Sequence, residues 1–309
     1  MDDTTMPGQN AVAADLIAVL VAVTGAQPRV LTVAGSRGAP VGIDRPALPS
    51  GPFELRHRSL QAGLRAWVEQ QTHHPLGYVE QLYTFADGDR VRDGGLHGIS
   101  ISYLGLTREA RRTGWRHWYD FFPWEDHRAG PPPALAASIL PALERWAAAP
   151  GPERAGRRQR VAISFGAEGG WNEEFILQRY ELLFEAGLVA ESGAPHPTAP
   201  GQPMASDHRR ILATAIARLR GKIKYRPVVF ELMPPAFTLL QLQRSVEAIA
   251  GRMLHKQNFR RLIETQQLVE ETGEMALDTG GRPARLVRFR GDVLAERAVT
   301  GSKLPLARA

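Results

Sequence analysis

Five side chains crowded between positions 256 and 261 carry the chemistry of nucleic-acid recognition: Lys256, Gln257, Asn258, Arg260 and Arg261. Lysine and arginine neutralise phosphates, whereas glutamine, asparagine and arginine present paired donors and acceptors that fit base edges in a major groove. Phe259, Leu262 and Ile263 fall on one narrow stripe at helical spacing, and the polar residues take the opposite side. The spacing predicts a helix over residues 255–265.

Such a helix reads a groove only if other elements hold it. Pro234 and Pro235 stop the chain before Thr238, which with Gln241 makes a capping box for a preceding helix. Leu239, Leu242, Val246 and Ile249 form the buried stripe of that helix, and Gly251 ends it. After the basic helix, residues 268–277 and 285–289 read as a hairpin around Asp278, Thr279, Gly280 and Gly281, with Arg282, Arg285, Arg288 and Arg290 clustered on it. Two helices joined by a glycine turn and followed by a basic hairpin describe a winged helix-turn-helix over residues 228–290. Its candidate DNA-binding residues are Thr238, Gln241, Lys256, Gln257, Asn258, Arg260, Arg261 and Arg282. The bland alternative is a small helical subdomain with a solvated basic face.

The charge distribution favours the first reading. Residues 206–309 hold 19 Lys+Arg against 10 Asp+Glu, whereas the first 205 hold 19 against 22, so only the back of the chain suits a polyanion. The chain has no cysteine, which excludes a thiol nucleophile, a disulfide scaffold and cysteine-ligated metal. Its longest apolar run, residues 11–23, is too short to span a bilayer and reads as a buried strand, consistent with a cytoplasmic protein and no membrane partner.

In the front half, residues 15–23 and 29–34 read as strands joined by a glycine-containing turn, residues 59–71 as a helix, and residues 78–85 and 98–104 as further strands. Trp115, Trp118, Tyr119, Phe121, Phe122 and Trp124 form an aromatic run that reads more readily as core or interface than as a stacking surface. Residues 134–148 read as a helix, 151–160 as an exposed polar loop, 161–165 as a short strand and 171–190 as a helix after Gly166, Gly169 and Gly170. That glycine turn matches no phosphate-binding fingerprint. Residues 192–203 read as a loop, and 206–223 as a long helix with Arg209, Arg210, Arg218 and Arg220 outside its apolar stripe.

The segment from Gly51 to Thr72 resembles a worn Nudix box. His57 stands where the motif has its first Glu; Arg65 and Glu69 survive; Ala66 and Gln70 replace carboxylates, and Thr72 replaces the closing Gly. A hard divalent ion needs several anionic oxygens, and one carboxylate beside an arginine will not hold it for catalysis. The alternative for Arg65 and Glu69 is a simple i,i+4 ion pair on a solvated face.

Lys224, Tyr225, Arg226 and Pro227, Phe230 through Pro234, and Phe237 with Thr238 and Leu239 resemble the junction of the Nudix-related transcriptional regulators. Residues 255–261 resemble their recognition helix, and residues 280–284 their wing. The longer middle segment with its aromatic run resembles the NadQ-type NAD regulators of alphaproteobacteria within this NrtR-like group. The resemblance implies an α+β chain: an N-terminal degenerate Nudix-like α/β/α sandwich over residues 1–205 with a helical insertion at about 108–200, a connecting helix and junction over 206–227, and a C-terminal winged helix-turn-helix over 228–309. It also implies a homodimeric repressor of NAD-synthesis genes on a palindromic operator of double-stranded DNA, without catalytic residues, resident metal or catalytic cofactor. The effector would be NAD, ADP-ribose or ATP. Candidate ligand-binding residues near the old Nudix cleft and the junction are His57, Arg65, Glu69, Tyr103, Lys224 and Arg226, with a hinge expected at residues 224–226. The competing readings are a Nudix-type nucleotide pyrophosphohydrolase with an accessory nucleic-acid-binding domain, and an RNA-binding protein.

Overall fold

The computed structural model describes residues 12–35, 45–73, 76–86, 97–109, 114–166, 169–277 and 283–292. Arg282 and the turn at residues 278–281 lie outside them.

Strand β1 (Val12–Thr24) is the spine of the larger sheet. It turns at Gly25 and Ala26 into β2 (Gln27–Leu31) and also pairs with the short β3 (Ser50–Pro52). On its other edge β1 runs parallel to β5 (His97–Leu106), which pairs antiparallel with β4 (Tyr78–Phe85). The β6 strand (Trp115–His117) extends the far side through β2, giving the order β4-β5-β1-β2-β6. Apart from Asp15, residues 12–23 of β1 read as an apolar run because both faces of the strand are covered. Leu16, Ala18 and Leu20 pack with Leu64 and Val68 of α1 (Leu60–Thr72), while Ile17, Val19 and Val21 enter a larger core on the opposite face.

That second face is built from helices. The aromatic run folds inward at α2 (Trp118–Phe121) and a 3-10 turn at Pro123–Glu125, with Trp118, Phe121, Phe122 and Trp124 fully buried. Next come a π turn at Leu135–Ile139, α3 (Leu140–Ala148), α4 (Arg154–Phe165), α5 (Ile176–Glu185) and α6 (His208–Lys222). Helix, sheet and helix layers make the α/β/α sandwich.

Several local expectations fail here. Residues 154–165, expected as an exposed loop and a strand, form the single helix α4, which ends at Gly166 with φ +80°. Only Ser164 of α4 is fully buried; Val161 and Phe165 pack partly buried against the core and Arg157 lies over the Trp146 ring, so the inward stripe is short and half polar and its helical period is faint in sequence. The helix expected over 171–190 is shorter, beginning after a 3-10 turn at Glu173–Phe175. The β2 strand closes at Leu31, not residue 34.

The largest correction concerns α6. Arg210 is partly exposed and bonds Glu181, but Arg209 and Arg220 are 1% and 0% exposed. Arg209 pairs with Glu191 at 3.1 Å and lies over the rings of Phe122, Trp124 and Tyr180 at 5.2–5.5 Å. The α6 helix packs against α5, against the sheet and against the helices that follow, so both flanks of its apolar stripe are inside the protein.

The remaining chain is a winged helix: α7 (Leu239–Ala250), α8 (Lys256–Thr265) and a hairpin of β7 (Val269–Ala276) with β8 (Ala284–Phe289). Phe237 bridges to Val287 by two backbone hydrogen bonds of 3.0 and 2.8 Å, adding a third, one-residue strand to the wing.

Candidate nucleic-acid interface

The α7 helix starts as the sequence predicts. The Thr238 hydroxyl accepts the Gln241 backbone N–H at 3.2 Å, and the Gln241 side-chain oxygen accepts the Thr238 N–H at 2.7 Å. This reciprocal pairing occupies one polar atom of each candidate. Thr238 is buried, whereas Gln241 is exposed with its amide donors turned to no described partner.

Gly251 closes α7 with φ +70°, and a Cβ there would lie 2.5 Å from the Glu125 carbonyl oxygen. Both the backbone conformation and the close approach demand glycine. The turn that follows is held by two buried polar residues of α7 that sequence reasoning missed. Gln243 donates to the Glu247 carboxylate at 2.9 Å and to the Leu254 carbonyl at 3.1 Å, and Glu247 accepts the Leu254 N–H at 2.9 Å. Their legible signal was an i,i+4 Gln–Glu pair bordering the Leu242, Val246 and Ile249 stripe.

Helix α8 then buries Phe259 and Ile263 against the core, while Leu262 is 52% exposed. Lys256, Gln257, Asn258, Arg260 and Arg261 are all exposed, and no described residue forms a hydrogen bond or ion pair with their side chains. A rigidly seated helix with an unspent cationic and amide face is equipped to meet phosphates and base edges. The wing is less basic than its sequence looks, because Arg285 pairs with Glu271 at 2.5 Å and Arg288 with Glu270 at 2.6 Å. Of the eight DNA-binding candidates, Arg282 lies outside the described residues and seven fall on α7 and α8 or the cap between them and the preceding loop.

The six ligand-binding candidates are not brought together. His57, Arg65 and Glu69 lie on α1 or the loop before it. His57 accepts the Glu54 N–H at 3.0 Å through Nδ1 and meets Trp67 edge-on. Gly51 packs under the Trp67 ring, where a Cβ would lie 2.3 Å from the indole. Arg65 bonds the carbonyls of Leu76 and Gly77, spending its guanidinium on the loop after α1. Glu69 is exposed and is the one carboxylate of α1, so this donor set does not fit a catalytic magnesium ion. Tyr103 is 2% exposed in the apolar layer beneath α1, where burial raises its pKa, so its ring faces no open cleft.

Lys224 and Arg226 follow α6 on the other side of the sheet. Lys224 pairs with Glu173 at 3.0 Å and Glu174 at 2.5 Å, which raises its pKa against the lowering by burial. Just before it, Lys222 meets Glu80 and donates to the Tyr78 hydroxyl at 2.8 Å. Of residues 224–226, expected as a hinge, Lys224 is tied to Glu173 and Glu174, while Lys222 just before them is tied to β4.

Residues 229–289 match the family model of the NrtR DNA-binding winged helix domain. A curated protein of Acinetobacter baylyi, the ADPR responsive transcriptional repressor NtrR, is 44% identical over 86 residues, covering 28% of this chain and 34% of that protein. The match thus spans about a third of the relative's length. Shewanella oneidensis NrtR, solved with a 27mer DNA, superposes with a TM-score of 0.54 at 21% identity over 91% of this chain and 95% of that one. A MutT/nudix family protein from Enterococcus faecalis superposes with a TM-score of 0.52 at 16% identity over 92% and 89%. The chain is NrtR-like in its winged helix, and it shares the fold of a Nudix-like domain followed by that winged helix.

Proposed function

We propose that this NrtR-like chain is a DNA-binding transcriptional repressor. In this reading α8 enters the major groove, with Lys256, Gln257, Asn258, Arg260 and Arg261 reading bases and phosphates and Gln241 and Arg282 adding contacts; Thr238 acts by capping α7. The observation that carries it is the exposed, unpartnered polar face of a helix whose other face is locked into the core. Two such chains would bind a palindromic operator as a homodimer, as befits a winged helix reading half-sites. Residues 228–309 serve as the reader, residues 1–205 as the sensor, and α6 joins the sensor core.

The sensor binds an adenine nucleotide without turning it over. ADP-ribose is the first choice, since the A. baylyi relative is named for responding to it; NAD and ATP are the others. Control of NAD-synthesis genes in the cytoplasm follows from that effector. Among the described residues no helix is long and apolar enough to cross a membrane. The test is a gel shift on the promoters flanking the chain's own gene, titrated with ADP-ribose, NAD and ATP. No retarded band on any of them sinks the reading. Turnover of ADP-ribose with Mg²⁺, abolished by Glu69→Gln, would instead establish the pyrophosphohydrolase.

A further inference from the structure

A helix ends with carbonyl groups that have no partner within it. At the end of α7 those groups are taken up by residues from outside the winged helix. The Tyr119 hydroxyl donates to the Ala248 carbonyl at 2.8 Å, Arg220 Nε donates to the Ile249 carbonyl at 2.9 Å, and the His127 backbone N–H donates to the Gly251 carbonyl at 2.7 Å. The guanidinium also meets the negative end of the helix dipole. Behind these contacts stands a fully buried ionic node. Glu125 accepts from Arg220 Nη1 at 2.7 Å and from Arg179 Nε and Nη2 at 2.6 and 2.8 Å, with all three side chains 0% exposed. Tyr119 comes from α2, which continues β6 and so the edge of the sheet. Arg128, two residues beyond Asp126, bonds the Asp126 carboxylate, the Ala26 carbonyl and the Gln27 side chain in the β1–β2 turn.

From α7 the chain of contacts continues through Gln243 and Glu247 to the backbone of Leu254, two residues before α8. Buried and part-buried hydrogen bonds, joined by short stretches of backbone, therefore connect the sheet edge to the start of the recognition helix. Tilting α7 relative to the sandwich strips its last carbonyls and uncovers a buried ion cluster, both expensive in a dry interior.

We propose that Tyr119 and Arg220, braced by Glu125 and Arg179, are positioning residues for DNA recognition: they clamp the C-terminal end of α7 and so set the pose of α8 for an operator. This rests on the DNA-binding reading above and moves the working joint from residues 224–226 to the Glu125 node. The clamp touches no nucleic acid itself. It acts on the shape of the bound state, so it governs discrimination between sequences and leaves the phosphate contacts in place.

The test uses the full chain and two variants. Tyr119→Phe removes one hydroxyl and keeps the ring; Arg220→Met leaves a charge-balanced Glu125–Arg179 pair. Affinity is measured for the duplex that the wild-type chain selects from a randomised pool and for a scrambled duplex of the same length. Expected is a loss of about three- to thirty-fold for the selected duplex, with the scrambled affinity and its salt dependence held within twofold. Wild-type affinity for the selected duplex in both variants overturns the proposal. If the wild-type chain shows no preference between duplexes, the DNA-binding reading fails instead. The clamp is then decided by amide exchange in the same variants: faster exchange in α8 with unchanged β1 and β5 supports it, and unchanged α8 exchange overturns it.

Discussion

Glu125 is fully buried between two guanidinium groups, so its loss disturbs both of them. Replacing it with glutamine keeps the volume and one acceptor, yet strands two guanidinium groups that are 0% exposed. Arg179 would retain the carbonyls of Ser164 and Asn172, and Arg220 those of Ile249 and Glu173, so hydrogen bonding is largely kept while charge compensation is lost. Breaking a buried ion cluster by removing one partner costs about 3–5 kcal/mol. For a 309-residue chain the unfolding entropy near the melting point is roughly 0.65 kcal/mol/K, so Tm should fall by about 5–8 °C. Urea unfolding of wild type and Glu125→Gln at pH 7 measures the difference directly. A second measurement checks the cause. Burial alone would raise the Glu125 pKa, but Arg179 and Arg220 hold it below its ordinary value of 4.5. A carboxyl with a depressed folded pKa adds stability that is present above the unfolded pKa and is lost as pH falls through the folded one. The gap between wild type and variant should therefore be full at pH 7 and close as pH falls below about 4.5 toward the lowered value. A loss under about 1 kcal/mol at pH 7 would refute the claim that these charges are dry and that both guanidinium groups depend on the Glu125 carboxylate.

Arg260→Ala should weaken operator binding and lower the slope of log affinity against log salt by about 0.9 if that side chain holds a phosphate; an unchanged salt titration with unchanged affinity argues against α8 as the contact helix. Gly251→Ala combines a φ of +70° with a Cβ 2.5 Å from the Glu125 carbonyl, so a stability loss of at least about 1 kcal/mol is expected in chemical denaturation. Thr238→Ala should cost about 1 kcal/mol through the lost cap, read from the same denaturation curves. Burial lowers the pKa of His127, whose Nε2 has no partner among the described residues and whose ring lies tilted against Trp171 with centroids 4.0 Å apart. Its contribution is present above the unfolded value of 6.5 and is lost as pH falls through the folded one, so urea midpoints should drop on acidification below pH 6.5, and less so in His127→Phe.

The sequence alone determined the elements with strong local signatures. The capping box at Thr238 and Gln241, the glycine stop at Gly251 and the narrow stripe of Phe259 and Ile263 act within a turn or two of chain, so type and spacing suffice to read them. The covered strand β1 announced itself the same way, through an apolar run that needs both faces buried. What only the tertiary structure decided was where charge is spent. Arg209 and Arg220 look like solvated residues beside an apolar stripe, yet each meets a carboxylate from a distant segment: Glu191 for the first, Glu125 for the second. Such partners lie up to 95 residues apart, and no local pattern pairs them. Tyr103, Arg65 and Lys224 carry the right atoms for a ligand site, but the fold buries the first, gives the second to loop carbonyls and pairs the third with glutamates. Arg260 and Arg261 sit on an exposed helix where no described residue takes up their side chains, so their availability was legible from the local pattern alone.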